Sequence, residues 1–331
     1  MNETVGIVGA GAWGTALAQA LASSGHRALL WARSVELAAA IQRERRNDAY
    51  LPGVDLHPAL VATTDPAALD PCAALLLVTP AQAMRAVLGD LVRFLTTPRP
   101  LVLCAKGIEQ ASGRWLSEVA ADVAPGWPVA ILTGPTFADE VARGLPTAVT
   151  LACADAGLGR ALAGLLGSER FRPYWSDDPI GAQVGGAVKN VLAVACGIAQ
   201  GRRLGENARA AVITRGYAEM RRFGLACGAQ AETLAGLSGL GDLVLTCGST
   251  RSRNTSLGIA IGEGESLADV LAGRRTVAEG AHTAPILLQR ADALGIDMPI
   301  TRAVNAILYD HAPVDAAIAA LLARPFRPEG E

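Results

Sequence analysis

Lysine is nearly missing from this 331-residue chain: it occurs only at positions 106 and 189, and the other 27 of its 29 basic residues are arginine. A bias toward Ala, Gly and Arg accounts for the shortage but leaves open why two lysines remain. Excess charge is missing too, with a net charge of -2 and a pI near 6.1, so there is no global attraction for nucleic acid and anionic ligands must be met locally. Paired cysteines are absent: Cys72, Cys104, Cys153, Cys196, Cys227 and Cys247 form no C-x-x-C, which argues against structural zinc and for a reducing compartment. No uncharged apolar run reaches the ~18 residues a membrane helix needs. The apolar stretch Val5 to Ala22 follows Glu3 and no positive residue, unlike a secretion signal. The expectation is a cytoplasmic protein without stable membrane insertion.

What is present is a chain of two unlike halves. Apolar runs at Thr4 to Val8, Ala28 to Ala32, Ala74 to Val78, Leu101 to Ala105, Val129 to Leu132, Ala148 to Ala152 and Phe171 to Trp175 read as strands. Several are apolar throughout, as parallel strands covered on both faces are, and helical stretches separate the early ones. This predicts a Rossmann-type, doubly wound α/β sheet. From about Pro179 helix-period stretches follow one another, with Gly181 to Gln200, Asn207 to Gly224 and Ala284 to Ala293 the clearest. The reading is therefore an α/β N-terminal domain over residues 1–180 and an all-α C-terminal domain over 181–331. Ser176-Asp177-Asp178-Pro179 supplies a helix-start signal at the join.

Four segments carry chemistry. Gly9-Ala10-Gly11-Ala12-Trp13-Gly14 fits G-x-G-x-x-G between a strand and a helix, where the glycines permit a tight turn, backbone approach to a pyrophosphate and close helix packing. After the second strand, Arg33 stands where an acid would bond the ribose 2'-hydroxyl, and a guanidinium there favours a 2'-phosphate or dual cofactor use. At the ends of two later strands come Lys106-Gly107-Ile108-Glu109 and Gly134-Pro135-Thr136-Phe137-Ala138, offering an ammonium, a hydroxyl and open backbone. Lys189 with Asn190 lies in an otherwise apolar helix, and its neighbours three and four residues away cannot pair with it. Desolvation there would lower its pKa and make it a proton acceptor and donor near neutrality. Gly236 to Thr246 holds one acid, Asp242, able to orient a lysine, and Ser252-Arg253-Asn254 suits a phosphate monoester.

These segments, with Tyr50-Leu51-Pro52-Gly53, Gly205 to Ala211, Thr214-Arg215-Gly216, Gly239 to Leu243 and Val277-Ala278-Glu279-Gly280, closely resemble the bacterial NAD(P)-dependent sn-glycerol-3-phosphate dehydrogenase family over essentially the whole chain. The resemblance implies a reversible oxidation of sn-glycerol 3-phosphate to dihydroxyacetone phosphate with NADP(H) or NAD(H), usually run toward glycerol phosphate for phospholipids. It implies Lys189 as the proton acceptor or donor, and Lys106, Asp242, Ser252, Arg253 and Asn254 as substrate contacts assisted by Gly134 and Thr136. It further implies a cofactor lining of Ala12, Trp13, Arg33, Tyr50, Lys106, Ala138, Arg253, Val277 and Glu279 beside Gly9, Gly11 and Gly14. A homodimer acting on a small phosphorylated substrate, without metal, is the family expectation.

Two other readings compete. A β-hydroxyacid dehydrogenase-type reductase also pairs a Rossmann domain with a helical lysine, but the resemblance there places Asn four residues later, where this chain has Ala193. A non-catalytic NADPH sensor would have lost proton-transfer or phosphate-binding groups, and none is missing.

Overall fold

A computed structural model of the protein describes residues 3–273, 278–326 and 328. The chain divides into two compact units, Met1–Ala105 with Arg114–Pro179, and Lys106–Gly113 with Ile180–Glu331. Lys106–Gly113 thus belongs to the second unit although it lies inside residues 1–180 of the sequence-based division. The reason is local bonding: Asn190 donates to the Lys106 carbonyl, Gln110 to that of His282 and Arg290 to that of Gly113.

The first unit runs β1 (Thr4–Val8), α1 (Ala12–Ser23), β2 (Arg27–Trp31), α2 (Val35–Glu44), β3 (Leu60–Thr63), β4 (Ala74–Leu77), α3 (Met84–Leu91), β5 (Leu101–Leu103), α4 (Leu116–Val123), β6 (Val129–Thr133), α5 (Ala138–Ala142), β7 (Thr147–Ala152), α6 (Ala156–Leu166) and β8 (Phe171–Ser176). Its strands form one sheet in the order β3-β2-β1-β4-β5-β6-β7-β8, parallel throughout except between β6 and β7. The central strands β4 and β5 are buried at every residue, because helices cover both faces. Pro173 is tolerated in β8 because that strand lies at an edge and pairs only with β7. The order reverses between β1 and β4, the switch point beyond which nucleotides bind in doubly wound sheets. The opposite edge strand, β3, is missing from the sequence reading: it is four residues long, and only Leu60 is fully buried.

The second unit is helical: α7 (Pro179–Gly201), α8 (Gly205–Ala226), α9 (Ala231–Ala235), α10 (Asp242–Cys247), α11 (Arg253–Glu263), α12 (Leu267–Ala272), α13 (Glu279–Ala293), α14 (Pro299–Tyr309) and α15 (Val314–Leu322). α7 is long and apolar enough to cross a membrane, but 94% of its most apolar window is buried inside the fold, as in a core helix. α11 lies backbone-close against it: a Cβ on Gly258 would sit 2.1 Å from the Val194 carbonyl oxygen, and one on Gly197 2.1 Å from that of Thr255. α14 takes its N-terminal cap from α8, where the buried Glu219 carboxylate accepts the N–H of Ile300 at 2.6 Å and of Thr301 at 3.2 Å.

Two glycine substitutions should therefore move stability in opposite directions. Gly258→Ala forces α7 and α11 apart and should cost about 1–3 kcal/mol. Gly164→Ala lies in α6 with no atom within 4 Å of the added Cβ and should stabilise by up to about 1 kcal/mol. Chemical denaturation of both variants checks the pair, and equal effects would contradict the packing account.

Candidate active site

In the first unit the glycine-rich turn leads from β1 into α1. Gly9 has φ +115°, and a Cβ there would stand 2.9 Å from the Val78 carbonyl oxygen. A Cβ on Gly14 would be 1.8 Å from the Gly9 carbonyl oxygen, so this glycine lets the helix settle onto the turn. Gly11 differs, since a Cβ there would meet no protein atom within 4 Å. α1 starts at Ala12, and Gly11 before it supplies no side-chain cap; with no acid in its first turn either, the helix leaves its positive end to an outside anion. The indole Nε1 of Trp13 is buried without a hydrogen-bond partner among the protein's groups. An open cradle, an uncapped helix start and an orphaned donor are what a dinucleotide pyrophosphate requires, so the residues fit that group.

The other sequence-predicted groups of this unit occupy loops. Arg33 is exposed between β2 and α2, and Tyr50 is exposed on the loop after α2. Gly134 follows β6 at φ +149°, with Val149 of β7 so close that a Cβ would lie 2.9 Å from its Cα. Thr136 Oγ1 donates to the Gly134 carbonyl at 3.3 Å, and Ala138 opens α5.

In the second unit a charged cluster forms around Asp242, the first residue of α10, which has no exposed surface. A wide, π-helical turn at Leu237–Gly241 delivers it, and a Cβ on Gly239 would lie 1.9 Å from the Leu234 carbonyl oxygen, so the approach needs glycine. One carboxylate oxygen accepts from Lys106 Nζ at 2.7 Å and the other from Lys189 Nζ at 3.0 Å. Lys189 Nζ also bonds Thr246 Oγ1 at 2.8 Å, one turn along α10. Burial pushes the Lys189 ammonium down; Asp242 counters, Lys106 adds to the depression, and its pKa settles at about 8. Burial alone would raise the Asp242 carboxyl, but the two lysines outweigh it and hold the group below its ordinary value.

A chain of amides surrounds this cluster. Asn190 Nδ2 donates to the Lys106 carbonyl at 3.1 Å, Asn254 Nδ2 donates to Asn190 Oδ1 at 2.8 Å, and Asn254 Oδ1 accepts the Gly280 N–H at 2.9 Å. Ser252 caps α11 by accepting the Thr255 N–H at 3.2 Å, and Arg253, the first residue of that helix, is exposed. Glu279 opens α13; Val277 lies outside the described residues.

Two sequence-family models span almost the whole chain: the NAD-dependent glycerol-3-phosphate dehydrogenase N-terminus matches residues 4–158 and its C-terminus residues 178–319. The chain belongs to this family. A glycerol-3-phosphate dehydrogenase [NAD(P)+] of Erythrobacter litoralis is 57% identical over 100% of this chain and 99% of its own. One of Parvibaculum lavamentivorans is 54% identical over 98% of each. The crystal structure of glycerol-3-phosphate dehydrogenase from Coxiella burnetii superposes with a TM-score of 0.93 at 38% identity, covering 98% of this chain and 99% of that one.

Within this family member, the structure joins Lys106, Lys189 and Asp242, singled out in three separate sequence segments, into one bonded group. Thr246 and Asn190 were not singled out as site residues. Thr246 had a signal, since it stands four residues after Asp242 on a helix and so shares its face. Asn190 had only its adjacency to Lys189, and its bond to the Lys106 carbonyl spans 84 residues.

Asp242→Asn removes the fully buried carboxylate that bonds both the half-buried Lys106 and the buried Lys189. It should lower stability by about 3–5 kcal/mol, as breaking a buried ion pair does. Urea unfolding at pH 7 reads this, and a loss under about 1 kcal/mol, the value of an exposed pair, would contradict the geometry.

Proposed function

We propose that the protein interconverts sn-glycerol 3-phosphate and dihydroxyacetone phosphate with NADP(H) or NAD(H), Lys189 being the group that moves the proton. The observation that carries the reading is a buried amine with a pKa of about 8, held by Asp242 and Thr246, in a chain whose 53–57% identical relatives are glycerol-3-phosphate dehydrogenases. The dinucleotide, when bound, supplies or accepts the hydride at carbon 2. In ketone reduction the Lys189 ammonium gives its proton to the carbonyl oxygen and becomes a neutral amine; in alcohol oxidation the neutral amine takes that proton back. Asp242 and Thr246 hold Nζ on one heading, so that the remaining N–H meets substrate. Lys106 adds a positive charge next to the same carboxylate, which favours an alkoxide developing close by.

The phosphate contacts in this reading are Ser252, Arg253 and Asn254, with Gly134 and Thr136 assisting. Asn254 has one amide N–H beyond the bond it gives Asn190, and Arg253 adds a cation at the start of an eleven-residue helix, where an anion is favoured. Gly9, Gly11, Ala12, Trp13, Gly14, Arg33, Tyr50 and Ala138, together with Lys106, Arg253, Val277 and Glu279, are the proposed cofactor contacts. The reading places the protein in the cytoplasm as a homodimer, supplying glycerol phosphate for phospholipid synthesis.

Lys189→Met should lower turnover by at least ~100-fold while dinucleotide affinity stays within about twofold, as expected for loss of a general acid-base group. With the ammonium as donor, kcat/KM for dihydroxyacetone phosphate should fall as pH rises through about 8, and the oxidation rate should rise over the same interval. Near-normal turnover of the variant, or the opposite pair of slopes in the native enzyme, would reject the role.

A further inference from the structure

Asn47 is almost completely buried, at 1% exposure, although it sits on the irregular loop between α2 and β3. The loop closes on itself around it. The Leu51 N–H donates to the Asn47 carbonyl at 2.7 Å, the Leu56 N–H to that of Arg45 at 2.8 Å, and Arg46 pairs with Asp55 at 2.8 Å. This closure aims one side chain inward, at the glycine-rich turn. Asn47 Nδ2 donates to the Ala10 carbonyl at 2.9 Å and to Thr15 Oγ1 at 2.8 Å, and Thr15, itself fully buried, aims its hydroxyl at the same carbonyl at 3.5 Å.

The orientation of the amide is fixed by its partner. A carbonyl oxygen can only accept, so the nitrogen of Asn47 and not its oxygen faces Ala10. The oxygen is left in a costly position: Oδ1 is buried and accepts nothing from the protein.

The Ala10 carbonyl shares a peptide unit with the Gly11 N–H. No peptide bond in the described chain is cis, so the C=O and N–H of this unit point in opposite directions. Holding the carbonyl toward Asn47 sends the Gly11 N–H to the other side, at the uncapped start of α1. Two donors aimed at that carbonyl also polarise the peptide and strengthen its N–H as a donor. We propose that Asn47 is a positioning residue for dinucleotide binding, clamping the Ala10 carbonyl and the Thr15 hydroxyl so that the Gly11 N–H is fixed toward the pyrophosphate. The proposal rests on the reading that this turn holds a nicotinamide dinucleotide, and it gives a reason for the turn to be bonded by a side chain from 37 residues away.

Calorimetric titration of NADPH and NADH into the native protein, Asn47→Ala and the isosteric Asn47→Asp tests it. Positioning predicts one site per chain in all three, with Kd raised at least ~10-fold by Ala and further by Asp, whose carboxylate would face the Ala10 carbonyl. A Kd unchanged in both variants overturns the proposal. So does a stoichiometry well below one with an unchanged Kd, the signature of a partly misfolded domain. If the native protein binds neither dinucleotide, the cofactor reading itself fails, which is separate from either result for the variants.

Discussion

A carboxylate with no access to water, Asp242, is bonded to two ammonium groups, and the helical unit is arranged around that arrangement of charge. Two cations and one anion inside a fold are costly unless each is held by partners of fixed geometry. The unit supplies them from the π-helical turn before α10, from Thr246 one turn later, and from the amides of Asn190 and Asn254. The segment Lys106–Gly113 is drawn into this unit by the Lys106–Asp242 pair and by the bonds that Asn190, Gln110 and Arg290 make, although the chain on either side of it builds the sheet.

The same charges set the chemistry. An isolated lysine in water stays protonated at neutral pH and accepts no proton. Burial lowers Lys189, Lys106 lowers it further, and Asp242 stops the fall at about 8, where the group can work in both directions. An arginine in its place would remain protonated and could not take part in that exchange. The scarcity of lysine in the sequence therefore has a physical reading: arginine fills every basic position except the two that meet on Asp242.

Much of this was legible in the sequence because it rests on local rules. The uniform apolarity of Ala74 to Val78 marked a strand covered on both faces, found as Ala74–Leu77, and Gly9 and Gly14 of the first turn marked places where backbone comes close. β3 was not legible, since its apolar run is only Leu60-Val61-Ala62 before Thr63, too short and with too little burial to stand out from a loop. Asp242 was legible as an acid able to orient a lysine, but which lysine it holds, and the part of Thr246, were not: the two stand 53 and 57 residues from Lys189, and no periodicity links a helix to a bonding partner at that separation. Asn47 is a similar case, a polar residue on a loop whose burial is created only when the loop folds over a turn 37 residues earlier.

The near-absence of lysine also offers the most direct measurement of the central claim. Protein labelled with 13C at lysine Cε should give two side-chain resonances, one for each lysine, and the Lys189→Met variant assigns them. The account predicts that the Lys189 signal titrates near pH 8 in the native protein. A midpoint at or above the ordinary lysine value of about 10.4 would contradict it.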